Sequence, residues 1–546
     1  MNRINVFARR RRIKNLEQWT LYAIILEAFF LALSPTAAAA AIMFGIMTWF
    51  LRSQIDSKYK IRSLPFDVPV AIFLLIGAAS VFFSSARSFE LIYNYFMLVG
   101  IYGLTYLVVG QTIRTPAQVK QVAQALGAAA FLVVLWGFFQ FIFGVDAADV
   151  KWTDPEAFPE LKKRVFSTLE NPNVLAGYLD VFVCLALGFL AKAENRSQRL
   201  ILIVAIILLI ACLVMTYSRG AFLTLAIVFA IYALLQDWRI LILFAAVTGL
   251  IAYSDSTFMD RILSAFTMSD SSGGVRVGIW VSTSAMISDH PFTGIGWGAY
   301  KYIYPQYNYY IADPKIIVYH AHNIYLNYAA EIGIVGALAF FWYFFGTMFM
   351  ALSLKVNKLF AGAENLSISS FTSDLAEIKA EIQATLSDFS NKVLDLFSEK
   401  KPPLKLKRKS YREVVHNEEM NFSEHTRKKF ADDDKDTSEI SDDDKDTSEK
   451  ISIEQAENFD NDKIVDKKSS AISWSNVTKI SNKNFLAGFK LGIGLAFLSM
   501  ALNGLTDDLL FNVPSSMLMW LLGALGAAIH LMPEEDTVSR RRGRRI

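Results

Sequence analysis

The sequence has little of what disulfide-linked domains and metal sites are built from. Its 546 residues include only two cysteines, Cys184 and Cys212, and both lie in apolar runs. This excludes a disulfide framework and a Cys-x-x-Cys metal site, and it indicates that both cysteines pack within a membrane. Charge is also nearly balanced, since 54 Lys and Arg stand against 51 Asp and Glu, a net charge of +3. Such a balance gives no support for nucleic acid as a partner.

Apolar residues, by contrast, are abundant. They make up 53% of the chain, and the mean hydropathy is +0.33, whereas soluble domains contain roughly 45 to 50% apolar residues. Runs long enough to cross a bilayer core of about 30 Å lie near residues 17–34, 36–51, 66–83, 91–110, 122–143, 171–191, 200–216, 220–236, 238–253, 328–352, 484–503 and 513–532. We therefore predict an all-α, polytopic integral membrane protein with about 12 transmembrane helices in the lipid bilayer.

Lys and Arg are distributed unevenly over the connections between these runs. The basic stretch of Arg3 and Arg9 to Arg12 precedes an apolar run, as in a signal peptide, but further runs follow at once, which favours a first transmembrane helix. Cytoplasmic connections are enriched in Lys and Arg. With the N-terminus inside, the basic groups that fall inside are Arg52 to Arg62, Arg114 and Lys120, Lys192 to Arg199, Arg239 and Arg540 to Arg545. We therefore predict that both termini are cytoplasmic.

Two connections are much longer than the others. Residues 254–320 are too polar to span and carry turn formers at Ser272-Gly273-Gly274 and from Gly294 to Gly298, so we expect a large extracytoplasmic loop. Residues 355–482 fall on the cytoplasmic side as a charged insert. The chain then divides into residues 1–354 with helices 1–10, the insert, and residues 483–546 with helices 11–12 and a basic cytoplasmic tail.

The insert changes character along its length. Apolar residues spaced by three and four from Leu375 to Leu396 predict an amphipathic helix or a short coiled coil. Residues 400–412 form a basic patch suited to anionic lipid, and residues 432–451 contain a tandem acidic decapeptide. This repeat lacks the glycine and the terminal glutamate of a calcium-binding loop. It has too little apolar surface to fold, so we expect disorder and a role for a cytoplasmic partner.

Two arginines lie on the predicted extracytoplasmic side. Arg219 stands where the seventh and eighth runs meet, and Arg276 stands in the long outer loop. Arg219 is either an interfacial anchor or a functional cation, and anchors are favoured on the opposite face. Arg276 is either a solvated loop charge or, beside apolar and aromatic neighbours, a cation at the membrane interface. The planar fork of an arginine would suit a phosphate there.

Histidine is rare, with six in the chain, yet His320 and His322 lie two residues apart at the end of the outer loop. One interpretation is a polar helix start, with Asn323 near the N-cap and Gly333 and Gly336 as close-packing positions. A zinc site needs three or four ligands, and neither a supporting cysteine nor a second histidine pair is present, so we predict no metal. A neutral imidazole is the natural general base for a hydroxyl nucleophile. With the two arginines, it fits a transfer from a diphosphate leaving group.

This arrangement resembles the O-antigen ligase and polymerase family of bacterial envelope glycosyltransferases. His322-Asn323, nine residues, and then Gly333-x-x-Gly336 are similar to that family's His-Asn-x9-Gly-x-x-Gly pattern. Other family-like segments are Ser218-Arg219-Gly220, Arg276 followed four residues later by Trp280, Pro291 to Gly298, and Glu170-Asn171-Pro172-Asn173. The resemblance covers about residues 160–350, and the remaining spans agree in topology only.

The resemblance implies a metal-independent transferase, without a cofactor, in the bacterial cytoplasmic (inner) membrane. It would move a glycan from undecaprenyl diphosphate to an acceptor hydroxyl, which belongs to lipid A core in lipopolysaccharide ligases, to another lipid-linked repeat in polymerases, and to a protein Ser or Thr in related enzymes. Arg219 and Arg276 would hold the diphosphate and His322 would be the catalytic base. The possible supporting residues are His320, Asn323, Asn173, Gly333 and Gly336. The insert at residues 355–482 departs from the family pattern.

Two functions of other classes stay open from the residues alone. A transporter, for example of bicarbonate, would need paired ionisable residues near the membrane midplane. The candidates are Glu27, Asp180, Glu331 and Lys490, and no broken-helix repeat accompanies them. A scaffold that recruits partners through the insert would leave the outer arginines and histidines without a chemical role.

Overall fold

The computed structural model describes residues 3–144, 164–254, 271–311, 317–353 and 480–533. The predicted amphipathic, basic and repeat segments of the insert and the basic tail lie outside these residues. The longer helices are α1 (Arg3–Phe30), α2 (Pro35–Ile55), α3 (Asp67–Phe83), α4 (Phe89–Thr112), α5 (Pro116–Phe143), α6 (Pro172–Ala191), α7 (Arg196–Val214), α8 (Arg219–Leu235), α9 (Arg239–Ser254), α10 (Ser271–Asp289), α11 (Ile324–Leu352), α12 (Asn482–Asn503) and α13 (Val513–His530).

The helices confirm the prediction of an all-helical, polytopic membrane protein for the described residues. Eight of them are long and apolar enough to cross a membrane, namely α2, α4, α5, α6, α7, α11, α12 and α13. Three shorter apolar helices lie at Asp67–Phe83, Arg219–Ala233 and Arg239–Leu250. Each of the twelve predicted apolar runs falls on a helix, but the number of spans stays a prediction, since α1 is basic in its first half and the three shorter helices fall below the spanning length.

Hydrogen bonds join the connections in two groups. The turns predicted outside are linked by bonds from Thr168 to Ala32, from Ser84 to Ile295 and from Asn323 to Leu505. The turns predicted inside are linked by bonds from Arg9 to Ile55, from Arg62 to Ile113 and from Ser481 to Glu194. The described turns thus group as the charge pattern predicts. Which group faces the cytoplasm stays a prediction.

Glycines bring α6 and α12 into close contact. A Cβ added at Gly188 of α6 would lie 2.3 Å from the carbonyl oxygen of Gly488 and 2.4 Å from the nitrogen of Gly492, both on α12. Small residues with this four-residue spacing allow membrane helices to pack backbone against backbone. Nearer the outer end, Asn503 donates a hydrogen bond of 2.8 Å to the buried carboxylate of Asp180. This packing places the start of α6 beside the end of α12.

The outer loop contains a helix where a turn was expected. The predicted turn at Ser272-Gly273-Gly274 was wrong, because these residues lie in the first turn of α10. Tertiary packing outweighs the weak helix preference of glycine. Ile279 and Met286 are buried, and the Thr283 hydroxyl bonds the hydroxyl of Tyr300 at 2.7 Å. The outer loop therefore presents Arg276 from a helix.

Candidate functional site

The carboxylate of Asp507, in the turn between α12 and α13, contacts three of the predicted site residues. Its Oδ1 lies 2.9 Å from Nδ1 of His322. Its Oδ2 accepts a hydrogen bond of 3.1 Å from the side-chain amide of Asn173 and lies 3.9 Å from the guanidinium of Arg276. Residues from the starts of α6, α10 and α11 thus converge on one carboxylate.

Charge and burial together determine the protonation state of Asp507. Burial alone would raise the pKa of Asp507, but the hydrogen bond and charge of His322 and the charge of Arg276 outweigh it and hold that pKa below its ordinary range. The ionised carboxylate therefore accepts a hydrogen bond from Nδ1–H of His322, which leaves Nε2 as the basic nitrogen. The His322 side chain is 35% exposed, so a substrate can reach it.

His322 occupies a strained backbone conformation. Its φ of 49° lies in the left-handed region, which costs an L-residue about 1 to 2 kcal/mol. The preceding residue is held from both sides, because Ala321 N–H donates to Asn327 Oδ1 and the Ala321 carbonyl accepts from Trp280 Nε1, each at 3.0 Å. Fixed neighbours of this kind keep the imidazole directed at Asp507.

Asn323 is the N-cap of α11. Its Oδ1 accepts hydrogen bonds of 3.0 Å from the backbone N–H groups of Tyr325 and Leu326, as N-cap residues do. Its amide donates a bond of 3.0 Å to the carbonyl of Leu505. The side chain thus ties the helix start that carries His322 to the turn that carries Asp507.

The two glycines of the motif act in packing. Gly333 has a φ of 72° and interrupts α11, and a Cβ there would lie 2.2 Å from the carbonyl oxygen of Phe292. Only glycine permits both the conformation and the contact. The break lets Ile334 N–H bond the Pro291 carbonyl at 2.8 Å. Gly336 packs on α3, where an added Cβ would lie 2.9 Å from Ile76. These glycines hold the outer loop and α3 against α11.

The two arginines occupy different positions around Asp507. The Arg276 contact of 3.9 Å is a charge interaction that is too long for a hydrogen bond. Arg219 is the first residue of α8. The following Gly220 lies against the Asp507 turn, since a Cβ there would be 3.0 Å from Thr506 Oγ1. The start of α8 therefore borders the site.

His320 lies between His322 and the aromatic ring of Phe511. Its Nδ1 accepts a hydrogen bond of 3.2 Å from His322 N–H, and its ring centroid is 4.2 Å from that of His322 and 4.8 Å from that of Phe511. Burial, with the charges of His322 and Arg276, lowers the pKa of His320 to about 4, although Asp507 opposes this. His320 is therefore neutral near pH 7.

His320, His322 and Asp507 also form a group that could ligate a metal ion. One potential ligand atom of each lies within 4.8 Å of the others, and three protein ligands with one open position are typical of catalytic zinc. The sequence argument against zinc rested on a shortage of ligands, and Asp507 supplies a third. Metal independence therefore needs a direct test.

Sequence reasoning missed Asp507 and Arg164 as site residues. Arg164 is buried, and it donates hydrogen bonds of 2.8 Å to the Thr216 carbonyl and to Oδ1 of Asn173. It thereby orients the amide that Asn173 presents to Asp507. In the sequence, Arg164 lies in an outer connection where acidic residues balance the basic ones, so its charge alone does not mark a site. The sequence did contain one signal for Asp507, namely two adjacent acids, Asp507-Asp508, in an outer turn that has no Lys or Arg.

Comparison with known families agrees with this geometry. Residues 177–341 match the model of the O-antigen ligase family, a segment that runs from α6 to α11 and includes both arginines and the histidine pair. No curated protein matches the chain. Asn173 and Asp507 lie outside the matched segment and reach the site through the packing of α6 on α12. The sequence resemblance is thus confirmed for residues 177–341, which are similar to the O-antigen ligase family.

Proposed function

We propose that the protein transfers a glycan from undecaprenyl diphosphate to an acceptor hydroxyl at the extracytoplasmic face of the bacterial inner membrane. The observation that carries this proposal is the His322–Asp507 pair, with 2.9 Å between Nδ1 and Oδ1 and with the charge of Arg276 beside it. A base oriented by a carboxylate and flanked by a cation is the arrangement that a hydroxyl nucleophile and a diphosphate leaving group require.

In the proposed reaction, Nε2 of His322 takes the proton of the acceptor hydroxyl. The acceptor oxygen forms a bond to the anomeric carbon, and the bond from that carbon to the diphosphate oxygen breaks. The electron pair leaves with the undecaprenyl diphosphate, whose charge Arg219 and Arg276 stabilise. Asp507 stabilises the imidazolium until its proton passes to solvent. No metal or cofactor takes part.

Purified protein in lipid, assayed with a defined lipid-linked donor and acceptor, tests the proposal. His322→Ala should lower turnover by roughly two to four orders of magnitude while donor binding stays nearly intact. His320→Ala is the matched control and should retain much more activity. An active His322→Ala protein, or activity abolished by EDTA and restored by zinc, would overturn the mechanism.

Lipopolysaccharide ligation is the first candidate within this reaction class, and polymerisation or protein O-glycosylation are the alternatives. A deletion strain distinguishes them, because loss of a ligase leaves long chains on the lipid carrier and loss of a polymerase leaves single repeats. A transporter has less support. Among the described residues, Glu27 accepts a hydrogen bond from Thr105 and Asp180 accepts one from Asn503, so these two of the three candidate carboxylates have separate partners.

A further inference from the structure

A cavity of about 310 Å³ lies beside the candidate site, between α4, α11, α13 and the outer loop. Its lining includes the carboxyl groups of Glu331 and Asp508 and the aromatic rings of Tyr102, Trp297, Tyr319 and Tyr328. We call it the carboxyl cavity. None of the catalytic roles proposed above uses these six residues, although Asp508 directly follows Asp507.

The two carboxyl groups each keep one oxygen without a hydrogen-bond partner among the described residues. Glu331 is 3% exposed and Asp508 is 4% exposed, and the unpaired atoms are Glu331 Oε1 and Asp508 Oδ2. The other oxygen of Asp508 accepts a bond of 3.2 Å from Phe511 N–H. A buried acceptor without a donor is costly, so the cavity suits a ligand that brings hydroxyl or amine donors.

The aromatic residues that line the cavity indicate which class of ligand it can bind. Trp297 lies edge-on to Tyr328, with 5.5 Å between the ring centroids, and such rings cover the apolar C–H faces of a sugar while carboxylates accept from its hydroxyls. With Glu90, three carboxyl groups line the cavity beside the cation Lys301, and this excess of acidic groups disfavours a diphosphate. The region where Arg276 faces Asp507 therefore suits an anionic substrate, and the carboxyl cavity suits a substrate rich in hydroxyls.

Two lining residues of the carboxyl cavity lie next to His320, which contacts the proposed base His322. Tyr319 and Phe511 both line the cavity, and both adjoin His320, the first by sequence and the second by a ring contact of 4.8 Å. The His320 ring in turn contacts the His322 ring at 4.2 Å. Arg276 instead contacts Asp507, at 3.9 Å, so an acceptor in the cavity and a diphosphate at Arg276 would reach His322 past different neighbours.

We propose that the carboxyl cavity binds the acceptor sugar whose hydroxyl His322 deprotonates. This inference rests on the proposed function and adds to it a second subsite, specific for a neutral or amino sugar. Glu331 and Asp508 bind the acceptor, and the two arginines bind the donor. The cavity volume limits the subsite to a small number of sugar rings at the end of a glycan.

The test uses the full chain in nanodiscs and two variants of similar shape, Asp508→Asn and Glu331→Gln. Each should raise the KM for the acceptor by roughly 10- to 100-fold, because the amide replaces one oxygen acceptor of the carboxyl group with a nitrogen donor, while the donor KM stays within about threefold. Glu27→Gln is the matched control, since it neutralises a buried carboxyl of α1 that lies outside the cavity lining. It should leave both KM values unchanged.

Binding is measured separately on the His322→Ala protein, so that turnover is not needed. The probes are deacylated lipopolysaccharide core oligosaccharide and inorganic pyrophosphate. Asp508→Asn should weaken the oligosaccharide alone, and Arg276→Ala should weaken pyrophosphate alone. An unchanged acceptor KM in both carboxyl variants, with wild-type turnover normal, would refute the subsite and leave the proposed function standing. A rise in donor KM instead would also refute it. Absence of any transfer by wild-type protein would count against the proposed function.

Discussion

Replacement of Asp507 by asparagine tests the role of this carboxylate, which the structure revealed and the sequence analysis had missed. The change keeps the size of the side chain and removes the charge that orients His322. Asp507 accepts from Nδ1 at 2.9 Å, and an asparagine amide there can instead donate to Nδ1 and leave Nε2 carrying the proton. The base would then be blocked by the wrong tautomer.

The expected fall in kcat follows from the strength of the hydrogen bond between His322 and Asp507 and from the exposure of both side chains to solvent. A hydrogen bond to a charged group contributes about 1.5 to 3 kcal/mol, which corresponds to a fall in kcat of roughly 10- to 150-fold. The equivalent change in a fully enclosed triad costs about 10⁴-fold. His322 and Asp507 are 35% and 17% exposed, so solvent compensates part of the loss here. The donor KM should change less than kcat, because Arg276 makes no hydrogen bond to the carboxylate at 3.9 Å and keeps its own charge in the variant.

The assay is steady-state transfer by purified protein, with abundance and membrane insertion checked for each variant. Asp237→Asn is the matched control, since Asp237 lies in the exposed turn between α8 and α9 and its side chain accepts a hydrogen bond from Arg239 N–H. It should retain wild-type kcat. A kcat of Asp507→Asn within threefold of wild type would show that Asp507 does not orient the base.

Four further predictions concern other parts of the chain. Arg219→Ala or Arg276→Ala should raise the donor KM or lower kcat by roughly 10- to 150-fold, and lysine at either position should restore activity only in part, because it loses the planar fork. Replacement of residues 400–470 by a short Gly/Ser linker should preserve turnover in a reconstituted assay, and complete loss with normal insertion would contradict a dispensable insert. A cysteine at Ser441 should resist an impermeant reagent in intact cells, and its labelling would reverse the proposed topology. Burial and the charge of Asp507 raise the pKa of Asp508 to about 7, so the fold favours the protonated form and loses stability as pH rises from about 4 to 7. Asp508→Asn should therefore raise the melting temperature by a few degrees at pH 8 and have little effect at pH 4. Differential scanning fluorimetry measures both values.

Local sequence patterns predicted the apolar helices and part of the candidate site. Apolar runs of spanning length located every long membrane helix, because a lipid-facing segment must be apolar along its whole length. The His-Asn-x9-Gly-x-x-Gly spacing located the start of α11, and Asn323 indeed caps it. Such features depend on neighbours within about ten residues, so they are visible without the fold.

Long-range contacts were the part that the sequence did not reveal. Asp507 lies 185 residues beyond His322 and 334 residues beyond Asn173, and no spacing rule connects positions so far apart. Arg164 was hidden for a related reason, because its partners at Thr216 and Asn173 become neighbours only when α6 and α7 pack. The turn expected at residues 272–274 was wrong because burial of α10 outweighs local glycine content.

The glycine contact between α6 and α12 explains how the candidate site can include Asp507, although the long insert separates Asp507 from the other site residues along the chain. The free-energy cost of closing a loop rises slowly with its length, by only about 0.6 kcal/mol for each doubling. The position of α12 therefore depends on its packing far more than on residues 354–479. Gly188 meets Gly488 and Gly492 backbone against backbone, and this contact sets the register of α12 along α6. That register places Asp507 beside Asn173, and through Asn173 beside Arg164. The carboxylate that contacts His322 is thus positioned by membrane-helix packing.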